Sequence, residues 1–170
     1  FCDVTYPGGK LAQKLQDVAS VIHADAGLEV ACMDVGGWDD HTNENAGLAN
    51  RLKEYGDSLA AFAEDLGDRL NDTLVVTMTE FGRTCRENGN RGTDHGHGGM
   101  MFLFGGSVAG GNVHGRWNGL DDKALYQSRD LPVSTDFRDV FAEALRRHLK
   151  FDVPKDFFPK YDAKEIKGLH

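Results

Sequence analysis

Apolar positions along the chain follow two rhythms. Behind the turn Pro7-Gly8-Gly9, Leu11, Leu15, Val18, Ala19 and Ile22 recur at a spacing of three to four, which predicts an amphipathic helix from Lys10 to about Ala24, ended near Gly27. The run Leu28-Glu29-Val30-Ala31-Cys32-Met33-Asp34-Val35, short, largely apolar and closed by Gly36-Gly37, predicts a strand buried on both faces. Leu48, Leu52, Tyr55, Leu59, Phe62, Ala63, Leu66 and Leu70 then restore the helical spacing, predicting a long helix over Glu44 to Leu70. Gly47, Gly56 and Gly67 interrupt it, each costing about 1 kcal/mol against Ala and inviting a kink.

Asn71-Asp72 turns into the β-branched run Thr73 to Thr79, a second expected strand, and Met100 to Phe104 forms a third, stopped by Gly105-Gly106. Ser107 to Gly111 lacks the lysine of a phosphate-cradling loop and reads as a hairpin or bend. Val113 to Trp117 suggests a short edge strand. Ser134-Thr135-Asp136 reads as the N-cap region of a helix carrying Phe137, Val140, Phe141, Ala144, Leu145 and Leu149. Beyond Phe151, Pro154 and Pro159 lead into a charged tail expected to be loosely held. Alternating helix and strand predicts an α/β fold with a mainly parallel sheet flanked by helices, a single domain over 1–150 followed by a tail over 151–170.

With 170 residues, 40% hydrophobic and 27% charged, the chain has the composition of a globular domain rather than a disordered one. Its net charge of −8 argues against a general binder of nucleic-acid backbone, which would carry a basic face. It leaves anionic small substrates open, since a metal ion reverses the local field. Nothing is long and apolar enough to span a bilayer. Cys2, Cys32 and Cys85 are odd in number and form no paired motif, so buried thiols are expected. The chain begins at Phe1 rather than Met, as expected of a fragment or a processed product.

The chemistry concentrates in Gly92-Thr93-Asp94-His95-Gly96-His97-Gly98-Gly99. One carboxylate and two imidazoles within four residues are donors for zinc, manganese or iron, and the glycines permit close backbone approach. Adjacent Asp94 and His95 can serve one ion only from an irregular loop, because a strand would turn them to opposite faces. A polar turn with solvated histidines is the alternative. In parallel α/β sheets ligands bind beyond the carboxyl ends of strands. Asp39-Asp40-His41 and Glu80 follow two predicted strands, and the octet lies on a loop long enough to return over the same edge. Asp39, His41, Glu80, Asp94, His95 and His97 are therefore the candidate metal ligands. Arg83 either holds an anionic substrate there or pairs with Glu80 or Glu87. Asp136 and Arg138 read as capping and structural pairing, and His148 as a cation suited to a helix end. Trp38 either walls the pocket or belongs to the core.

Gly-Gly-Trp-Asp-Asp-His (36–41), Thr-Glu-Phe-Gly-Arg-Thr (79–84) with Glu87-Asn88-Gly89, the octet at 92–99 and Thr-Asp-Phe-Arg (135–138) together resemble, in order and spacing, a bacterial family known as domain of unknown function 1501. The resemblance covers nearly all of the chain to about Phe151. It implies membership of the alkaline phosphatase and sulfatase superfamily: an α/β core, one or two divalent metals such as zinc or manganese, and hydrolysis of phosphate or sulfate esters by a Ser or Thr nucleophile. Asp94 and His95 match the superfamily's Asp-His metal pair, His41 resembles the histidine of its earlier metal segment, His97 adds an imidazole, and Glu80 stands where a ligand carboxylate is common. The sequence departs at Gly37, where the superfamily has Asp; Asp39 is the substitute. The superfamily's first metal Asp and its nucleophile lie in an N-terminal half, and family members are longer and often carry a twin-arginine export signal. The resemblance thus implies the C-terminal portion of an exported or periplasmic bacterial protein.

The leading expectation is a metal-dependent hydrolase of small anionic esters. The competing one is a non-catalytic exported binding or scaffold domain with a structural ion or none. An iron oxygenase using two histidines and a carboxylate would need a barrel of short antiparallel strands, which the long helical segments oppose.

Overall fold

The computed structural model describes residues 4–106 and 108–169; Cys2 and Ser107, which figured in the expectations above, lie outside them. The chain divides into two compact units, Phe1–Leu70 with Asn88–Gly92, and Asn71–Glu87 with Thr93–His170.

In the first unit, helix α1 (Lys10–His23) buries Leu11, Ala12, Leu15 and Ala19 on one stripe. Helix α2 (Glu44–Leu66) buries Ser58, Ala61, Phe62 and Leu66, and the two helices pack together. Burying side chains such as Leu15 and Phe62 contributes about 1.5–3 kcal/mol each. Gly47 and Gly56 sit inside an unbroken α2. The helix stops at Gly67, where φ is 52°, a conformation that glycine adopts without penalty; the next residues, Gly67–Asp72, tighten to a 3-10 turn. Polar contacts lock the far end of the pair. Tyr6 donates to Asp65 Oδ2 at 2.8 Å, His23 Nε2 meets Asp65 Oδ1 at 3.0 Å, and Arg69 reaches the Asp25 carboxylate at 2.6 Å. Burial first, then the Asp65 carboxylate, pushes the Tyr6 hydroxyl well above its ordinary range.

Two expectations fail here. Among the described residues Leu28 to Val35 belongs to no ladder, and Val30 is 64% exposed. With no neighbouring strand to take its N–H and C=O groups, apolar content alone does not make a strand. Cys32 on this segment is consequently exposed, and Cys85 is half-buried, rather than both being buried.

The N-terminus of α2 is closed by backbone rather than by a side chain. Asn43 N–H donates to the Asn90 carbonyl at 3.1 Å and Glu44 N–H to that of Arg91 at 2.9 Å, satisfying donors that have no partner within the helix. Asn88 organises this loop, donating from Nδ2 to the His41 carbonyl at 3.0 Å while its Oδ1 accepts from Asn90 and Gly92 N–H at 2.8 and 3.2 Å.

In the second unit, strand β1 (Leu74–Val76) pairs antiparallel with β4 (Leu103–Gly105), and β2 (Gly82–Arg83) with β3 (His95–Gly96). Val113 to Trp117 forms no ladder among the described residues; Val113 is fully exposed. Helix α3 (Phe137–Arg147) starts at Asp136, whose side chain accepts from Arg138 N–H at 2.9 Å and from the Arg138 guanidinium at 2.8 and 2.7 Å. The tail is not loose. Asp139, buried on α3, accepts from Tyr161 Oη at 2.9 Å and from Lys164 N–H at 2.8 Å, the Arg138 guanidinium lies 3.7 Å from the Tyr161 ring centroid, and Arg147 bridges Glu143 and Glu165 at 3.0 Å each. Chain-terminal charge does not imply mobility where a buried carboxylate needs donors.

Three glycines let the centre of this unit form. A Cβ on Gly82 would collide with the Gly98 carbonyl, one on Gly96 with the Arg83 carbonyl, and one on Gly98 would lie 2.6 Å from the Leu131 oxygen, which already accepts the Gly98 N–H at 2.9 Å. Gly98→Ala should therefore lower stability by about 1–3 kcal/mol in urea unfolding. Gly89→Ala, where a Cβ meets nothing within 4 Å, should change it by less than about 0.5 kcal/mol; equal effects would contradict the steric account. The Arg138 hydrogen bonds, chiefly the side-chain one, hold the Asp136 carboxyl below its ordinary value of 3.8. The folded state thus releases this proton more readily, so the pairing stabilises above that value and the benefit is lost as pH falls below it. Asp136→Asn keeps a capping side chain, so its deficit should be under about 1 kcal/mol at neutral pH and shrink steadily as pH falls below 3.8. A deficit independent of pH, read from denaturant midpoints, would refute the assignment.

Candidate functional site

The octet is not a free loop. His95–Gly96 lies in register with Gly82–Arg83, with His95 opposite Arg83. The pairing continues beyond the ladder, since Thr84 N–H donates to the Asp94 carbonyl at 3.0 Å and Asp94 N–H to Thr84 Oγ1 at 3.2 Å. Arg83 Nη1 donates to the Thr93 carbonyl at 2.7 Å. Two of the three polar segments, Glu80 to Thr84 and Asp94 to His97, are thereby held together in one unit. Glu80 itself is exposed on a bend between β1 and β2.

Both imidazoles are oriented by flat neighbours. His95 stacks on Phe81 with centroids 4.3 Å apart and planes at 11°, and Arg83 lies 5.0 Å from the same ring centroid. His97 stacks on Tyr126 at 4.0 Å and 15°. A stacked imidazole has a face covered while its nitrogens, which act in the ring plane, remain at the edge. This suits ligation or proton transfer equally.

The segment 124–131 supplies neighbours that no motif announces. Tyr126 and Asp130 exchange backbone hydrogen bonds at 2.8 and 3.0 Å, and Cys85 N–H donates to the Arg129 carbonyl at 3.2 Å. Asp130 is 2% exposed and accepts from Arg129 Nε and Nη2, both at 2.9 Å, a bidentate arrangement. This hydrogen bonding raises the Arg129 guanidinium further above its ordinary value, and the nearby Asp94 charge adds to the effect. Asp94 therefore sits in the field of a permanent cation. Leu125 of this segment is buried.

The third polar segment belongs to the first unit. His41 Nε2 lies 2.9 Å from Asp39 Oδ1, both side chains about half exposed, a contact that fixes imidazole orientation and tautomer. The His41 backbone is held by Asn88 and leaves no room for a Cβ on Gly92. Asp40 pairs with Arg51. Trp38 is half-buried and meets Tyr55 edge-on at 6.2 Å, so it lines the interior of the first unit. Within either unit taken alone, no three His, Cys, Asp or Glu side chains among the described residues bring donor atoms within 4.8 Å of one another.

No curated protein and no solved structure matches the chain. Residues 16–156 match the family described as Protein of unknown function (DUF1501), a span that takes in all four of the motifs above, and the chain belongs to that family.

Proposed function

We propose that the chain serves a metal-dependent hydrolase of small phosphate or sulfate esters, on a mainly parallel, alkaline phosphatase-like α/β scaffold, in the C-terminal portion of an exported or periplasmic protein. The observation that carries this reading is the register of β2 against β3, which sets the Arg83 cation opposite the His95 imidazole. Anion-holding and metal-holding groups belong side by side in such chemistry. The proposed donors are Asp39, His41, Glu80, Asp94, His95 and His97. Carboxylates and imidazoles suit one or two zinc or manganese ions, and the exposure of Asp39, His41, Asp94, His95 and His97 leaves them open to incoming metal and substrate. A bound divalent metal would polarise the ester oxygen and lower the pKa of the attacking group.

The chain's own residues then have separate tasks. Arg83, anchored through Nη1 on the Thr93 carbonyl, supplies the cation for the anionic oxygens. Phe81 and Tyr126 keep His95 and His97 from rotating. Asp39 sets the tautomer of His41. A second reading, a non-catalytic exported binding or scaffold domain, is favoured by one observation: the Thr93 carbonyl occupies Arg83 and the Arg129 charge lies near Asp94, contacts that would also serve simply to order the segment.

Elemental analysis of the chain loaded with zinc or manganese separates these readings. Stoichiometric metal is expected, with affinity reduced at least about tenfold in His95→Ala and in His41→Ala, and, in the longer protein that the resemblance implies, turnover of aryl phosphates or sulfates that Arg83→Gln slows. Metal retained unchanged in His95→Ala would sink the ligand assignment. Metal without ester turnover would favour the scaffold.

A further inference from the structure

The first unit contains a cavity of about 360 Å³ bounded by α1, residues 34–38 and the middle of α2, near the lower limit for small-molecule sites. Trp38 and Tyr55 line it with rings nearly perpendicular at 85°. Lys10, Lys14 and Arg51 bring three cations to a lining that holds two carboxylates, Asp34 and Glu54.

The cations are incompletely compensated. Lys14 Nζ donates to the Asp34 backbone carbonyl at 2.7 Å, a neutral acceptor that leaves its charge in place. Arg51 pairs with Asp40 through Nη2, while its buried Nε has no hydrogen-bond acceptor among the described residues. A buried guanidinium N–H without an acceptor is costly, and an oxyanion relieves that cost best. Glu54 also lines the cavity, but its carboxylate lies against Gly9, at the N-terminus of α1, where helix N–H groups and the helix dipole attract negative charge.

We propose that this cavity binds a small organic anion made of a planar ring and one carboxylate or phosphate. The ring lies against Trp38 and Tyr55, and the oxygens take N–H groups from Lys14 and Arg51. Every residue involved belongs to the first unit, so the proposal stands independently of the ester-hydrolase reading.

The test uses the whole 170-residue chain carrying Trp117→Phe. Trp117 is 70% exposed, and its replacement leaves Trp38 as the sole tryptophan emitter. Benzoate, phenyl phosphate, inorganic phosphate and neutral phenol are titrated by Trp38 emission and by calorimetry. Saturable binding of benzoate or phenyl phosphate is expected, at least about tenfold tighter than phenol or inorganic phosphate, the tighter of the two identifying the headgroup. Lys14→Gln keeps a donor for the Asp34 carbonyl but removes the charge; it should weaken the better anion about three- to tenfold with unchanged circular dichroism. Arg51→Gln should act in the same direction. Phenol binding as tightly as the anions, no saturable signal from either ring anion, or Lys14→Gln binding like the parent would each overturn the proposal.

Discussion

Backbone-to-backbone proximity, available only to glycine, is the constraint on which the second unit depends. Gly82, Gly96 and Gly98 let β2, β3 and the Leu131 segment approach without intervening side chains. Each contact is steric, so no hydrogen-bond partner could be rearranged to accept a methyl group there. From this layering follow the opposition of Arg83 and His95, the anchoring of Asp94 to Thr84, and the stacking of two imidazoles on two aromatic rings. Glycines that flank charged residues in the octet are thus structural spacers that determine where the charges lie.

Much of this was legible in the chain. Periodicity located α1, α2 and α3 to within a few residues, because each buries a stripe that propensity and packing both favour. The N-cap at Asp136 followed from residue type alone. Three features were not legible. Leu28 to Val35 looks like a strand because it is apolar, but strand formation depends on a partner that a local pattern cannot specify. Tyr126, Arg129 and Asp130 carry no periodic signal, since their roles come from contacts with residues 29 to 46 positions away. The tail is charged, which suggests solvent, whereas its fixation comes from the buried Asp139 of α3.

Ion pairs in both units span short and long stretches of chain. Asp39 with His41 and Asp136 with Arg138 are short-range pairs on exposed or half-buried ground, whereas His23 with Asp65 and Asp25 with Arg69 join residues more than forty positions apart. Asp130 and Glu143 are set apart by their burial. Each is a nearly fully buried carboxylate answered by an arginine on its own segment, so each brings its compensation along when it folds, and no distant partner must arrive first.

The backbone closure of α2 has a consequence for the order in which the protein is made. The carbonyls that satisfy Asn43 and Glu44 come from Asn90 and Arg91, on the far side of the β1 and β2 sequence. As the chain emerges, α1 and α2 can associate early, but the start of α2 keeps two unsatisfied donors until synthesis has passed Gly92. The first unit therefore finishes only after part of the second exists. During that interval the Asp39-Asp40-His41 segment lacks the Asn88 hydrogen bond that holds its backbone, and its side chains acquire their final setting among the last features of that unit.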